Sequence, residues 1–167
     1  MSILEIFNQW LILNHWTVAY KFNTFEIEKH DILKKYDNLS SIELYINFLN
    51  IFSKIESCDT CTWFLCAEDY KQDYKENEFA WNEFETISLA YAMDESEQDD
   101  IRKWWSWHLP IAISVKNAYY SYLAIDLKNN FGSIVFGEEP EFEIASIIAP
   151  DFESLLKLII DGKLKLI

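Results

Sequence analysis

Apolar positions recur at two different periods along this chain, and the change of period divides it. Near the start, Leu4, Phe7, Trp10 and Leu11 fall at helical spacing behind Ser2-x-x-Glu5. That spacing forms a capping box, in which each side chain bonds the other's backbone N–H, so a helix is expected over 2–14. Residues 15–24 mix β-branched and aromatic side chains without clean alternation and fix no element. Ile27, Ile32 and the Lys34-Lys35 pair give a short amphipathic set, predicting a helix from Glu26 to Tyr36 that Asp37-Asn38 ends. Ser40-x-x-Glu43 repeats the capping box, and Tyr45, Phe48, Leu49, Phe52 and Ile55 continue it as a buried stripe, predicting a helix over 41–55. Thr60–Cys66 is β-branched and aromatic and reads as a strand. The charged run Glu68–Glu78 reads as a loop, Phe79–Phe84 as a short strand, and Thr86–Tyr91 as a helical turn or helix. A further helix begins at Ser96, with acids in its first turn and with Ile101, Trp104, Trp105 and His108 on one face. Pro110 stops it.

The period then becomes two. Leu109, Ile111, Ile113 and Val115 alternate with Pro110, Ala112, Ser114 and Lys116. Tyr119–Leu127 is a second strand, apolar on both sides, and Lys128–Gly132 a hairpin loop with glycine for positive φ. Ser133–Phe136 and 142–148 read as two more strands, joined through Gly137-Glu138-Glu139-Pro140. The closing helix takes Asp151 as N-cap, buries Phe152, Leu155, Leu156 and Ile159, and ends before Gly162. All three glycines and all three prolines lie in this last third. Short loops between close strands imply an antiparallel sheet, with helices covering one of its faces. The class is α+β, and with no repeat or linker the chain reads as one domain, 1–167.

Composition narrows this reading without redirecting it. At 167 residues the chain is long enough for a real core. Seven tryptophans, nine tyrosines and twelve phenylalanines exclude a disordered chain. No run reaches the roughly 18 apolar residues of a membrane span. Met1–Leu13 has the apolarity of a signal segment but no positive flank or small-residue cleavage site, so it reads as an amphipathic helix and the protein as cytoplasmic. Cys58, Cys61 and Cys66 are odd in number and clustered, which suits reduced thiols rather than a disulfide framework. Cys58-x-x-Cys61 is also a zinc or redox spacing, but a structural zinc needs four ligands and histidines nearby are lacking.

Charge is the uneven property. The net charge is −14, and between Glu68 and Asp100 twelve acids face two lysines. Such a field repels nucleic acid and attracts basic partners, although acidic runs also serve only to solvate a surface. Residues with catalytic potential are sparse. There is no phosphate-binding glycine loop, no Gly-x-Ser-x-Gly and no His-Glu-x-x-His. His15, His30 and His108 stand apart from any nucleophile, and His108 reads as a packed, hydrogen-bonded histidine. Glu138, Glu139, Glu141 and Glu143 crowd one loop and read as solvated or partner-facing. Trp104 and Trp105 can share a core stripe, while Trp107 must point elsewhere.

The order of these elements resembles the SUKH superfamily. The residues that carry the likeness are the Trp-rich helix, His108-Leu109-Pro110-Ile111, Gly132-Ser-Ile-Val-Phe-Gly137, Glu139-Pro140-Glu141-Phe142-Glu143, Ile148-Ala149-Pro150-Asp151-Phe152 and the helix closed by Gly162. Trp63-Phe64-Leu65 and Phe79-Ala80-Trp81 resemble the middle of bacterial members. The likeness runs from Glu26 to Gly162 and is strongest over 62–162. Leu39-Ser40-Ser41 stands where members carry Leu-Pro, and Lys54–Cys61 replaces a glycine-containing turn. The resemblance implies an α+β fold with an antiparallel sheet, and no catalytic residues, metal or cofactor. It implies an immunity protein that binds a toxin domain, here a basic one such as a nuclease; the charge and the absence of a long apolar run predict that the chain binds neither nucleic acid nor membrane. The other role the resemblance implies is an intracellular regulator of the Smi/Knr glucan-synthesis type. On the toxin reading, Asp69, Asp73, Glu76, Glu78, Asp94, Glu95, Glu97, Asp99 and Asp100 form the attractive face.

Overall fold

The computed structural model describes residues 1–71 and 79–164. Among them, seven strands run in chain order: β1 Thr17–Tyr20, β2 Phe52–Glu56, β3 Thr62–Phe64, β4 His108–Ser114, β5 Ser121–Asp126, β6 Ile134–Glu138 and β7 Ser146–Ala149. Five α-helices accompany them: α1 Ile3–Leu13, α2 Glu43–Ile51, α3 Glu83–Tyr91, α4 Glu95–Trp105 and α5 Phe152–Ile160. The strands form a single antiparallel sheet in which every strand pairs with its sequence neighbours. The class is therefore α+β, as the pattern of elements implied. Among the described residues, no helix is long and apolar enough to cross a membrane.

Both faces of the sheet are covered, not one. Phe64 of β3 meets Phe7 of α1 at 5.5 Å and Phe48 of α2 at 5.9 Å between ring centroids, and Phe48 meets Phe152 of α5 at 5.4 Å. Helices α1, α2 and α5 thus close the first face. On the second face, Trp63 meets Phe79, and Tyr122 of β5 meets Phe84 of α3 and Trp105 of α4. Strands β4 and β5 are buried at every residue. Sequence alternation on β4 hides this because Ala112 and Ser114 are small and uncharged yet buried on the first face beside Phe64 and Thr62, while Ile113 beside Trp63 is buried on the second.

Two bulges explain why the apolar spacing misleads. Ala19 pairs with Lys54 and Tyr20 with Phe52, so Ser53 is passed over. The extra residue lets Phe52 and Ile55, three apart, both point into the core. That spacing mimics a helix, and the helix expected over 41–55 in fact ends at Ile51 and gives way to β2. On β4, Pro110 pairs with Ala124 and Ala112 with Leu123, so Ile111 is the extra residue. Leu109 and Ile113 consequently lie on opposite faces. The bulge also suits Pro110, which has no N–H for the ladder. Its carbonyl accepts a 2.6 Å hydrogen bond from the Tyr70 hydroxyl, which itself lies 2.7 Å from the Tyr45 hydroxyl.

Other expectations require correction. Residues 26–36 form two short 3-10 turns, Ile27–Lys29 and Leu33–Lys35, separated by an extended His30. The buried anchors of this strap, Phe25, Ile32, Leu33 and Leu39, do not share one helical stripe. The second capping box is not made. Ser40 lies inside the 3-10 turn Leu39–Ser41, and Ile42, not Ser40, is the N-cap of α2, without a side-chain cap. Residues 79–82 are irregular, and Phe79 packs as a side chain between Trp63 and Tyr120 rather than on a strand. The last helix before the sheet stops at Trp105, and His108 opens β4. Residues 15–24, which fixed no element, supply edge strand β1. The first capping box does form, with Ser2 N–H donating to Glu5 at 2.5 Å and Glu5 N–H donating to Ser2 at 3.3 Å. Asp151 caps α5 through the Ser154 N–H at 2.7 Å, and Gly162 follows with φ 67°.

Candidate functional site

The second face does not close completely. Helices α3 and α4 are joined by a short link, in which Asp94 caps α4 by accepting from the Glu97 N–H at 2.9 Å. Glu97 in turn accepts from the Met93 N–H at 2.7 Å. Opposite this helix pair lies the β6–β7 loop, whose position depends on Gly137. A Cβ at Gly137 would stand 2.3 Å from the Tyr122 hydroxyl oxygen. The missing side chain lets the Tyr122 ring cross the neighbouring strand, where its hydroxyl donates to the Phe142 carbonyl. Phe142 is thereby held in the core, with its ring 4.6 Å from Phe84. The loop gains two further ties, Glu139 N–H to the Tyr120 carbonyl at 2.9 Å and Trp105 Nε1–H to Glu143 at 2.5 Å.

Between helix pair and loop runs a groove of about 840 Å³. Its floor is apolar and comes from three elements: Ile87 of α3, Ile101 and Trp104 of α4, and Phe142 of the loop, with Tyr120 beside them. Tyr91 and Ile144 stand at its mouth, 83% and 73% exposed. Five carboxylates line it, Glu97 and Asp100 from α4 and Glu139, Glu141 and Glu143 from the loop. No lysine, arginine or histidine is among the described residues that line it. A smaller cavity of about 380 Å³ behind α4 mixes Glu85 with Lys35 and Arg102. Burial raises the pKa of Glu85, with Arg102 opposing.

The acidic residues singled out in sequence scatter over several tasks. Asp69 closes a 3-10 turn by accepting from the Cys66 N–H at 2.6 Å. Asp94 caps α4, and Glu95 sits exposed in the first turn of that helix. Asp99 pairs with Arg102 at 3.2 Å. Glu97 and Asp100 line the groove. Asp73, Glu76 and Glu78 lie outside the described residues. The loop carboxylates Glu139, Glu141 and Glu143 were visible in sequence as an acidic cluster, but nothing there showed that the cluster faces α4. The sequence pattern places Gly137 in the connection after Ser133–Phe136; the structure puts it inside β6, where a glycine marks a close approach by a neighbour.

His108 supports the groove from behind. Its ring stacks on Trp104 at 3.7 Å and 11°, and Nδ1 lies 2.8 Å from the Trp104 carbonyl. Burial lowers its pKa, against the opposing pull of that carbonyl and of Asp126, whose carboxylate is 3.8 Å from Nε2. Burial alone would raise Asp126, but the N–H groups of Lys128, Asn130 and Asn129, together with His108, hold it below the usual carboxylate range. Those N–H bonds, 2.8 to 3.0 Å long, shape the hairpin after β5. Trp105 is buried, whereas Trp107 is half-exposed with Lys128 Nζ 3.6 Å above its ring.

The three cysteines are free thiols: Cys58 exposed, Cys61 half-buried and Cys66 buried. Burial pushes the Cys66 thiol pKa up, the reverse of what a reactive thiolate needs. Among the described residues, no group of three or more His, Cys, Asp or Glu side chains is placed to hold a metal ion. Comparison with known proteins finds no matching family model, no matching curated protein and no matching solved structure.

Proposed function

We propose that this protein is a non-catalytic binding protein of the SUKH type, an immunity protein that neutralises a basic bacterial toxin domain by direct contact, in the cytoplasm. The observation that carries this reading is the groove: an apolar floor of about 840 Å³ bordered by five carboxylates with no described cation among its lining. Its size lies in the range of roughly 300–1,000 Å³ used by binding pockets. Carboxylates at a rim speed encounter with a positively charged partner, and buried aromatics below supply affinity. The same field opposes a phosphate backbone, so a nuclease domain would meet here a surface that mimics its substrate's charge. The α+β fold agrees with what the sequence resemblance implies.

The test is to read the gene beside this one for a toxin domain and to co-express the two; a neighbour without such a domain counts against the proposal. Growth restored by the wild-type chain supports neutralisation. Unrelieved toxicity, with both proteins present in soluble form, contradicts it and favours a regulator.

A further inference from the structure

We infer that the groove receives a short amphipathic basic segment, apolar along one stripe and carrying lysine or arginine on both sides of that stripe. This rests on the binding function proposed above and specifies the partner's chemistry. Two features of the groove lead to it. The groove has Ile87, Ile101, Trp104 and Phe142 among its lining, and a volume of about 840 Å³ suits a row of side chains rather than a folded domain. The carboxylates approach from two separate elements, Glu97 and Asp100 from α4 and Glu139, Glu141 and Glu143 from the loop. A ligand with one cation would use one of these sets. A segment with cations flanking its apolar stripe uses both.

Rim and floor act on different steps. The exposed Asp100 and Glu141 attract and orient the segment, an effect that salt screens. Floor contacts exclude water and slow release. Tyr91 and Ile144, large apolar side chains left exposed at the mouth, lose water when the segment seats. Glu143 is already held by Trp105 and Glu97 by the Met93 N–H, so these two keep their orientation as the segment arrives.

The probe is a labelled 12-residue peptide of leucine, lysine and alanine, with leucines at helical spacing and lysines on both flanks. Its controls are the same peptide with glutamate for lysine and with serine for leucine. Binding is followed by fluorescence anisotropy against the full chain. The expected result is saturable binding of the basic peptide alone, weakened at least tenfold by the triple variant Asp100→Asn, Glu139→Gln, Glu141→Gln. Asp100 and Glu141 are exposed and Glu139 half-buried, and the bonds of Glu139 to Tyr119 and Tyr120 run through its backbone, which glutamine keeps; circular dichroism verifies the fold. A second variant, Tyr91→Ser with Ile144→Ser, weakens binding at least fivefold and leaves its salt dependence in place. The inference is overturned if the basic peptide does not bind, if either control binds equally well, or if the triple variant binds like wild type. Co-expression separates this from the broader reading. Rescue by the triple variant at wild-type level removes the groove from neutralisation, whereas groove binding without rescue removes neutralisation and leaves the groove's ligand class standing.

Discussion

The two faces of the sheet are built from the same kind of side chain and end differently. On the first face, Phe7, Phe48, Phe64 and Phe152 interlock in edge-on and tilted contacts between 5.4 and 5.9 Å, and all four are essentially inaccessible. On the second face, Phe84, Trp105, Tyr122 and Phe142 pack as tightly, but the layer stops short and leaves the groove open at Trp104 and Tyr120. Aromatic packing by itself therefore does not distinguish scaffold from site. What distinguishes them is whether a third element completes the layer. Helix α5 does so on the first face, and on the second the β6–β7 loop bends away, bordered by carboxylates.

Truncation of the closed face has the largest expected effect. Phe48→Ala removes a fully buried ring that touches Phe52, Phe64 and Phe152. It is expected to cost about 3–5 kcal/mol, measured by urea unfolding, while the fraction that remains folded still binds at the groove. Gly137→Ala is expected to cost less, about 1–3 kcal/mol as an overpacking change, but to damage binding more. The added methyl displaces Tyr122, releases its bond to the Phe142 carbonyl, and frees the loop that carries three of the groove's five carboxylates. Equal effects of the two substitutions on binding would erase the distinction between the faces.

The smallest expected effect is on pH dependence, and it too belongs to the second face. Burial lowers the folded-state pKa of His108, so the unfolded chain binds the proton more readily. Stability therefore falls as pH drops below about 6.5, the ordinary histidine value, until the folded pKa is passed. His30 acts in the same direction, again through burial. Asp126 has a lowered pKa, and its contribution is lost only when pH falls through the carboxylate range. Thermal melts of wild type, His108→Gln and His30→Gln between pH 5 and 7.5 check this. Each substitution is expected to flatten part of the slope, with the larger loss at the more deeply buried His108. A slope unchanged by His108→Gln would show that its burial carries no such linkage.

Much of the frame was legible in the sequence because local rules and the fold agree there. Ser2-x-x-Glu5, the Asp151 cap with Gly162, the doubly apolar β5 and the Lys128–Gly132 turn all form as their residues dictate. Legibility failed where tertiary contacts override local preference. Phe52 and Ile55 look like consecutive positions on a helical stripe, yet a bulge at Ser53 places both on a strand. The strap over 26–36 has separate anchors and no single stripe. For the site, Asp100 and Glu141 are forty-one positions apart in sequence and line one groove. No local pattern reports that meeting, because Tyr122 reaching across Gly137 brings it about.

The most direct measurement of the central claim is hydrogen–deuterium exchange of this protein with and without the basic 12-residue peptide. The account predicts that added protection concentrates in α3, α4 and residues 139–144, with α1 and α5 unchanged. Protection confined to α1, α5 or the β1 edge, with none at the groove, would contradict it.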